Sequence, residues 1–422
     1  MKIQAIKGMR DLLPADTVWF QRLEAAVREV FGRYNFEEIR TPVVEPAELF
    51  TRSVGEETDI VGKEMYTFAD KDGAQLTLRP EATASAVRAY VEHRMWERPG
   101  LTRWYYIGPM FRRERPQKGR YRQFYQIGAE VMGGDSALID YELLAMLRML
   151  LERCGIGGAE LVLNSVGCAK DRPAYHAALR AALAERLGEL CADCQRRAQT
   201  NPLRVLDCKV PADQPIIAGL PQIGDYLDSD CRAHFDQLRA LLDANGIAYR
   251  VDPRLVRGLD YYTSTAFEFV HGALGSQNAL LGGGRYDGLA QALGAPAQAG
   301  GGIGFAIGED RFVLAMQAGA GAGGDAATGP DAVAIPLTAA ELQPVLELSE
   351  RLRRAGLRIE VAEPGRKLGK ALELAAKQHA RFAVLVGAAE AAAARCQLKR
   401  LATGDQSEVP FAQLPARLGA GV

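Results

Sequence analysis

The chain has 422 residues, a formal net charge of −1 at pH 7, and 48% hydrophobic and 24% charged residues. These values are typical of a globular protein with two or three domains and exclude a disordered, fibrous or general polyanion-binding chain. The first residues, MKIQAIKGMRDLLP, lack an apolar signal core, and no apolar run approaches the roughly 20 residues that span a bilayer. We therefore expect a cytoplasmic protein with no membrane association.

The first predicted element is an amphipathic helix, which Gly32 and Asn35 weaken at its end. Its apolar stripe consists of Trp19, Leu23, Val27, Val30 and Tyr34. The segment FEEIRTPVVEP then turns extended, and Pro42 excludes a central ladder position there. QLTLRP (75–80) alternates with period two and predicts a further strand.

A long antiparallel hairpin is predicted next, because LTRWYYIGPMFR (101–112) and RQFYQIGAEVMG (122–133) are both aromatic and rich in strand formers. The loop that joins them, Arg112 to Arg122, contains six basic residues and one acid. A solvated charged face is the ordinary explanation of such a run. Aromatic residues on both sides make the loop better suited to phosphate and base contacts.

ALIDYELLAMLRMLLERCG (137–155) predicts a helix that ends at Gly155. Residues from about 169 to 233 are predicted to be mostly helical and to form an insertion between β-rich blocks. After it come RLVRGLDYYTSTAFEFV, the glycine-rich LLGGGRYDGL, and GGIGFAIGEDRFVLAM, which predicts a strand that runs into a helix. The body therefore reads as α+β.

Seven scattered cysteines do not suggest a disulfide framework. Cys191 and Cys194 form one CxxC pair. A zinc site would require a second pair or nearby histidines at ligand spacing, and none follows. We interpret the pair as two surface cysteines on a helix, and we assign no metal-binding side chain.

A flexible linker is predicted at AGAGAGGDAATGPD (318–331), where glycine and alanine dominate. It separates a body of residues 1–325 from a tail of residues 331–422. AVAIP, LRIEV and FAVLVG in the tail predict strands, and two amphipathic helices alternate with them. This order predicts a small α/β domain with a largely parallel sheet. No GxGxxG follows its first strand, so a dinucleotide site is not expected there.

Several segments together resemble the motifs of the class II aminoacyl-tRNA synthetases. The first helix with the strand ending at Pro42 resembles motif 1, FRRERPQKGRYRQFYQ (111–126) motif 2, and GIGFAIGEDR (302–311) motif 3. RLVRGLDYY (254–262), GGGRYDGL (282–289) and LTLRPEAT (76–83) are similar to signatures of the histidine-specific members. The resemblance implies a catalytic body on a mostly antiparallel sheet and a C-terminal anticodon-binding α/β domain.

The resemblance also implies an activity. The chain would activate L-histidine with ATP and Mg²⁺ to histidyl-adenylate, and would then transfer histidine to the 3′ end of tRNA(His). Motif 1 builds the dimer interface in this family, so a homodimer is implied. Negative charge must be screened for the carboxylate to meet the α-phosphate, which is why arginines are needed.

Roles follow from the resemblance for the ATP site. Arg112 would bind the α-phosphate, and Arg120 and Arg311 the pyrophosphate end. Arg257 would stabilise the α-phosphate and the attacking carboxylate, since an arginine fork suits both. Further roles concern the base: Glu114 would accept from the adenine amino group, and Phe124 would stack on the ring. Any one of these arginines standing alone would be read as a surface salt bridge.

For histidine, the resemblance implies that Glu81, Thr83 and Gln126 bind the α-amino group. Glu130 and Tyr262 would bind the imidazole nitrogens. Tyr261 is implied as a further pocket residue. Gly282, Gly283 and Gly284 would let the backbone approach the substrate closely. The tRNA acceptor end would be contacted by Arg113, Arg115, Gln117 and Lys118. None of the five histidines lies in a motif, so no general base is assigned for the transfer step.

Two departures from the family pattern occur. Ala82 replaces the usual glycine of the amino-acid loop, and motif 3 reads GEDR where many members have GLER. Two alternatives of other classes remain open at this point. One is the synthetase-like regulatory subunit of ATP phosphoribosyltransferase, which usually lacks the tail and has eroded motif 2 and RGLDYY segments. The other is a tRNA-binding module without catalysis, which would not need a full set of ATP arginines.

Overall fold

The computed structural model of the chain describes residues 3–55, 58, 60–117, 119–272, 278–320 and 329–419. These residues form two compact units, Met1–Gly321 and Ala322–Val422. Each unit has its own sheet and its own hydrophobic core. Among the described residues, no helix is both long enough and apolar enough to cross a membrane.

The first unit contains two sheets. Their strands are β1 (Glu37–Glu38), β2 (Val44–Pro46), β3 (Tyr66–Ala69), β4 (Gln75–Leu78), β5 (Thr102–Phe111), β6 (Gln123–Met132), β7 (Glu160–Ser165), β8 (Tyr249–Val251), β9 (Thr263–Val270), β10 (Ala279–Arg285) and β11 (Gly302–Gly308). The larger sheet has the order β1-β5-β6-β11-β10-β9-β7-β8, and the smaller one has the order β2-β4-β3. Only the outer pairs β1/β5 and β7/β8 of the larger sheet are parallel. The predicted mostly antiparallel sheet is therefore confirmed.

The predicted hairpin is confirmed as β5 and β6, which pair along their full ten-residue lengths. Aromatic and β-branched side chains fit a pleated and buried surface, which is why this segment forms two interior strands of the sheet. Motif 3 lies directly beside it, because β11 pairs with β6 in an antiparallel register. The segments that resemble motifs 2 and 3 are thus neighbours in one sheet.

Helices cover the larger sheet. Those of the first unit are α1 (Pro14–Arg33), α2 (Ala47–Val54), α3 (Thr83–Glu92), α4 (Ala137–Arg153), α5 (Arg172–Glu185), α6 (Ala192–Thr200), α7 (Gln214–Ala218), α8 (Ser229–Ala244), α9 (Leu289–Ala292) and α10 (Glu309–Ala320). The apolar stripe of α1 packs into this unit's own core together with α4 and α10. The stripe is therefore satisfied within one chain and is not by itself evidence for a dimer interface.

Helices α5 to α7 form a small body with its own apolar cluster. Here the structure corrects the interpretation of the CxxC pair as surface cysteines. Cys194 is fully buried, and Cys191 is only partly exposed. Both face Cys208, which the chain brings back to them after α6. The spacing rule missed this arrangement because Cys208 stands alone in the sequence.

The second unit has a five-stranded sheet. Its elements are β12 (Ala332–Pro336), α11 (Leu342–Arg354), β13 (Ile359–Val361), α12 (Leu368–Lys377), β14 (Phe382–Val386), α13 (Ala388–Ala392), β15 (Arg395–Arg400), β16 (Gln406–Pro410) and α14 (Leu414–Gly419). The predicted strand and helix alternation is confirmed from β12 to β14, whose strands are parallel. The expectation of a largely parallel sheet was half right, because β15 and β16 add two antiparallel pairs. The sequence analysis did not predict β15 and β16, because their residues are mostly polar.

Candidate active site

A cleft of about 860 Å³ opens on the face of the larger sheet in the first unit. Its volume is that of a site for a nucleotide-sized ligand. Eleven of the side chains that the sequence singled out line this cleft: Glu81, Thr83, Arg112, Glu114, Arg120, Phe124, Gln126, Arg257, Tyr261, Tyr262 and Arg311. They come from four separate stretches of the chain, so the fold and not the sequence spacing brings them together.

The two arms of the β5/β6 hairpin provide a cation and an aromatic ring. The guanidinium of Arg112 lies 5.4 Å from the ring centroid of Phe124. Its Nε donates to the carbonyl of Pro80 at 2.9 Å, which fixes the direction of the fork. A guanidinium can bind a phosphate, and an aromatic ring beside it can stack on a base. The pair therefore suits a nucleotide.

Glu114 and Arg120 form an ion pair at 3.4 Å within the loop of this hairpin. The loop closes through a tight turn between Gln117 and Arg120, and Gly119 adopts a positive φ of 75° there. Arg311, at the start of α10, also lines the cleft, and burial followed by the charge of Arg120 lowers its pKa. Two arginines are thus held near one another, as a polyanion would require.

Arg257 is mostly buried and forms an ion pair with Glu268 of β9. Its guanidinium lies 5.4 Å from the ring centroid of Tyr262, and its Nε is buried without a partner among the described residues. A side chain at Gly282 would collide with this guanidinium. The glycine-rich segment was predicted to admit a substrate, and at this position it makes room for Arg257.

Glu81 is buried and caps the start of α3. Its two carboxylate oxygens accept from the backbone N–H groups of Thr83 at 2.8 Å and Ala84 at 2.9 Å. Burial raises the pKa of Glu81 in spite of these hydrogen bonds. Gln126 is nearby in the cleft wall, and its buried Oε1 has no partner among the described residues. Ala82 is fully buried just before the helix and keeps a negative φ of −117°, so the missing glycine causes no backbone strain.

Glu130 lies beneath the cleft wall with no exposed surface. Three hydroxyl groups donate to its carboxyl: Thr83 at 2.8 Å, Tyr106 at 3.2 Å and Tyr286 at 2.6 Å. Burial raises the pKa of Glu130 to about 8. Gly304 of β11 lies opposite Glu130, and any side chain there would overlap the carboxyl. The carboxyl of Glu130 therefore fits in the sheet only because residue 304 is a glycine.

Sequence reasoning missed two tyrosines and one arginine of this region. Tyr286 lies inside the GGGRYDGL segment. Tyr106 lies on β5, which pairs with the strand of Glu130. Both residues therefore belong to segments that the sequence had marked, although neither was predicted to contact Glu130. Tyr262, predicted together with Glu130 to bind the imidazole, lines the cleft and packs against Tyr261 at 4.7 Å between ring centroids. Arg10 pairs with Asp310 at 2.5 Å and ties the N-terminal segment to motif 3.

Other described residues of the basic loop do not line the cleft. Arg113, Arg115 and Gln117 are exposed, and Arg113 lies over the ring of Tyr66 at 5.7 Å. Lys118, the fourth predicted contact of this group, lies outside the described residues. The exposed side chains of the loop can therefore meet a large partner while Arg112, Glu114 and Arg120 of the same loop face the cleft.

An antiparallel sheet with arginines on motifs 2 and 3 and a buried acid beneath them defines the class II aminoacyl-tRNA synthetase type of site. Comparisons with known proteins agree. Residues 8–310 match the profile of histidyl-tRNA synthetase, and residues 331–420 match that of the anticodon binding domain. The chain therefore belongs to the histidyl-tRNA synthetase family.

Individual relatives cover nearly all of the chain. It is 56% identical to histidine–tRNA ligase of Koribacter versatilis, covering 98% of this chain and 95% of that protein. The same enzyme of Solibacter usitatus is 53% identical, with 99% of each chain covered. The crystal structure of apo S. aureus histidyl-tRNA synthetase is 34% identical and superposes with a TM-score of 0.81, covering 99% of this chain and 100% of that one.

Proposed function

We propose that this chain is a histidine–tRNA ligase. It joins L-histidine and ATP to histidyl-adenylate with release of diphosphate, and then transfers histidine to the 3′ end of tRNA(His) with release of AMP. The observation that carries the proposal is the single cleft that holds the arginines of motifs 2 and 3 above the buried carboxyl of Glu130. The family and the named relatives support it.

The arginines would handle the triphosphate. Arg112 is directed by its bond to the Pro80 carbonyl and would bind the α-phosphate, while Arg120 and Arg311 would hold the pyrophosphate end. Phe124 would stack on the adenine, with Glu114 accepting from its amino group. Binding of ATP would then replace the Glu114–Arg120 ion pair by two contacts to ligand. Such a pair costs little to break, because it is partly exposed.

Arg257 would stabilise the charge that builds between the histidine carboxylate and the α-phosphate. Its guanidinium offers five N–H donors, and Glu268 occupies one edge of the fork. Because Glu268 and Tyr262 hold the group in place, the remaining donors are oriented before substrate arrives. Orientation before binding is what electrostatic catalysis requires.

The histidine pocket would place hydrogen-bond acceptors at both the α-ammonium group and the imidazole of the substrate. Glu81, Thr83 and Gln126 would bind the α-ammonium group, and the orphaned Oε1 of Gln126 fits this role. Glu130, with Tyr262 and Tyr261 beside it, would bind the imidazole. A side chain without an N–H group would leave a buried carboxyl unpaired, which penalises apolar substrates of similar size.

Magnesium is proposed to accompany ATP. The carboxylates of Glu114 and Glu268 line the cleft, and oxygen ligands of this type suit Mg²⁺ beside substrate phosphates. When bound, the ion would neutralise part of the triphosphate charge. Most of its ligands would come from phosphates and water.

Transfer RNA is proposed to contact both units. The exposed Arg113, Arg115 and Gln117, with Lys118, would meet the acceptor end, and residues 331–422 would read the anticodon. If so, a chain ending after residue 325 would keep histidine-dependent adenylation and lose efficient charging. Unchanged charging by the truncated chain would exclude this role.

A homodimer is proposed from the motif 1 resemblance alone, since the stripe of α1 is buried in its own core. Analytical sedimentation at micromolar concentration should give about twice the 45.8 kDa chain mass. A stable monomer would exclude the dimer.

The regulatory-subunit alternative is not favoured, because the highly similar relatives are ligases and the chain retains both the tail and the complete arginine set. The decisive experiment is aminoacylation of purified tRNA with each of the twenty amino acids. Charging of tRNA(His) with histidine alone is expected. A chain that binds histidine and neither exchanges diphosphate nor charges tRNA would instead be a sensor.

A further inference from the structure

Four potential metal ligands meet in the small helical body, outside the residues proposed to bind ATP and histidine. Cys191 immediately precedes α6, Cys194 lies in its first turn, Cys208 follows on the returning loop, and Asp213 immediately precedes α7. One ligand atom of each residue lies within 4.8 Å of all the others. Cys194, Cys208 and Asp213 are buried and Cys191 is partly exposed, so protein covers most of the group.

The spacing of these atoms fits a tetrahedral ion. Zinc binds thiolates at about 2.3 Å, which places two sulfurs of one site about 3.8 Å apart. The Sγ atoms of Cys191 and Cys208 are 4.0 Å apart. Cys208 Sγ and Asp213 Oδ2 are 3.2 Å apart, close to the shorter sulfur–oxygen edge of the same tetrahedron.

The surrounding hydrogen bonds orient the ligands. Asp213 Oδ1 accepts from the backbone N–H of Cys191 at 3.0 Å, which leaves Oδ2 directed at the thiols. The backbone N–H of Val210 donates to Cys208 Sγ at 3.4 Å. The side chain of Gln214 donates to the Cys208 carbonyl at 2.7 Å and holds the loop. Bonds of this kind fix metal ligands in well-formed sites.

A second group of cysteines and aspartates offers a contrast. In Cys168, Asp171, Asp228 and Cys231, both oxygens of Asp171 accept backbone N–H groups, and Asp228 caps α8 through Cys231 N. This group has only two thiols, and three of its four carboxylate oxygens already accept from the backbone, while Asp228 Oδ2 lies 3.8 Å from Cys168 Sγ. In the first group, Asp213 Oδ2 is instead buried against thiols, which are weak donors.

We infer that Cys191, Cys194, Cys208 and Asp213 form a structural zinc site, with three thiolates and one carboxylate as ligands. Four protein ligands close the coordination shell, so the ion would stabilise the fold and would not bind substrate. The site joins α6, the returning loop and α7, beside the small apolar cluster and the hydrogen bonds that already connect them.

The site also reaches the catalytic segment. Between its ligands, Arg204 donates to the Gly258 carbonyl at 3.3 Å, and Asn201 donates to Asp260 at 3.3 Å. Both acceptors, Gly258 and Asp260, belong to the RGLDYY segment that carries Arg257. Loss of zinc should therefore loosen the support of Arg257 as well as the helical body.

The test is metal analysis of the full-length chain purified without chelator. We expect about one zinc per chain, and Co²⁺ added to chelator-treated protein should give the visible and thiolate charge-transfer bands of a tetrahedral site. Cys194→Ser and Asp213→Asn should bind zinc at least 10-fold more weakly. Cys396→Ser, which changes a buried cysteine of the second unit, should keep the full zinc content.

Three outcomes would overturn the inference. They are a wild-type chain that takes up neither zinc nor Co²⁺, a disulfide between Cys191 and Cys208 in the native protein, and loss of the metal in Cys231→Ser but not in Cys194→Ser. Should Cys194→Ser fail to fold, the Co²⁺ spectrum of the wild-type chain still decides. Chelator treatment should also lower the melting temperature and raise the Michaelis constant for histidine several-fold, both reversed by zinc.

Discussion

Asp140 and Glu130 are both fully buried acids in the first unit, and they are satisfied in opposite ways. Asp140 on α4 accepts from Arg285 at 2.9 Å, Thr265 at 2.7 Å and His234 at 2.8 Å. Glu130 receives hydrogen bonds from three uncharged hydroxyl groups. Asp140 is compensated by a cation of its own chain, whereas the environment of Glu130 favours the protonated acid.

This difference separates a structural acid from a binding acid. A closed ion pair such as Asp140–Arg285 has no capacity left for a ligand, and removing one partner leaves a buried charge. An acid whose pKa is raised to about 8 by burial can ionise when a ligand brings a donor or a positive charge. The imidazole of histidine brings such a group.

The largest expected effect is on stability at the structural acid. Asp140→Asn should lower the free energy of unfolding of the first unit by about 3 kcal/mol, because Arg285 is only 1% exposed and would lose its buried counter-ion, keeping the partly exposed Asp287. Denaturant unfolding measures this. Glu142→Gln, which removes a partly exposed ion pair on the same helix, should change it by less than about 1 kcal/mol. If the two variants lowered the free energy of unfolding equally, Asp140 would not be the structural acid that its buried contacts indicate.

Arg257→Ala should have the next largest effect, this time on catalysis. We expect the adenylation rate constant to fall at least ~100-fold, or about 2.7 kcal/mol, with smaller changes in the Michaelis constants. Arg257→Lys should recover part of the rate, since a point charge lacks the planar fork. Single-turnover adenylation measures this, with Arg254→Ala as the exposed control in the same segment.

The ion pair with Glu268 allows a purely structural role for Arg257, and the same variants test it. If Arg257→Ala lowered the melting temperature and left single-turnover adenylation nearly normal, the arginine would only hold the loop.

A smaller effect is expected at the exposed loop. Arg115→Ala or Gln117→Ala should raise the Michaelis constant for tRNA about 5-fold, because one exposed contact contributes about 1 kcal/mol. The constant for ATP should not change. Lys71→Ala, an exposed basic residue on another turn, is the control. Equal effects on diphosphate exchange and on charging would place the loop on ATP instead.

The sequence predicted much of this arrangement. Period-two and aromatic patterns located β5, β6 and β11, and the motif resemblance named eleven side chains that the fold brings into one cleft. What it missed depends on long-range packing. The pairing of Glu130 with Tyr286 joins residues far apart in the chain, and no local pattern records which hydroxyl faces which acid.

The cysteines show the same limit. Cys208 has no neighbouring cysteine to signal a ligand pair, and only the return of the loop after α6 places it beside Cys191. The role of Gly304 is likewise visible only from the strand register opposite Glu130. Local periodicity predicts elements well, whereas site chemistry also depends on which elements become neighbours.

Glu130→Gln tests most directly whether the buried acid binds the imidazole of histidine. The raised pKa means that Glu130 favours the folded state below about pH 4.5 and that this contribution is lost as the pH rises towards about 8. The neutral amide avoids that loss, so its melting temperature relative to wild type should increase from pH 5 to pH 8.

Histidine-dependent exchange of diphosphate into ATP, measured at pH 8 on the same variant, completes the test. If Glu130 binds the imidazole, we expect at least ~100-fold lower kcat/KM for histidine in a protein that melts no lower than wild type. A variant that keeps near-normal histidine-dependent exchange, or one that loses exchange only because it unfolds at pH 8, would contradict it.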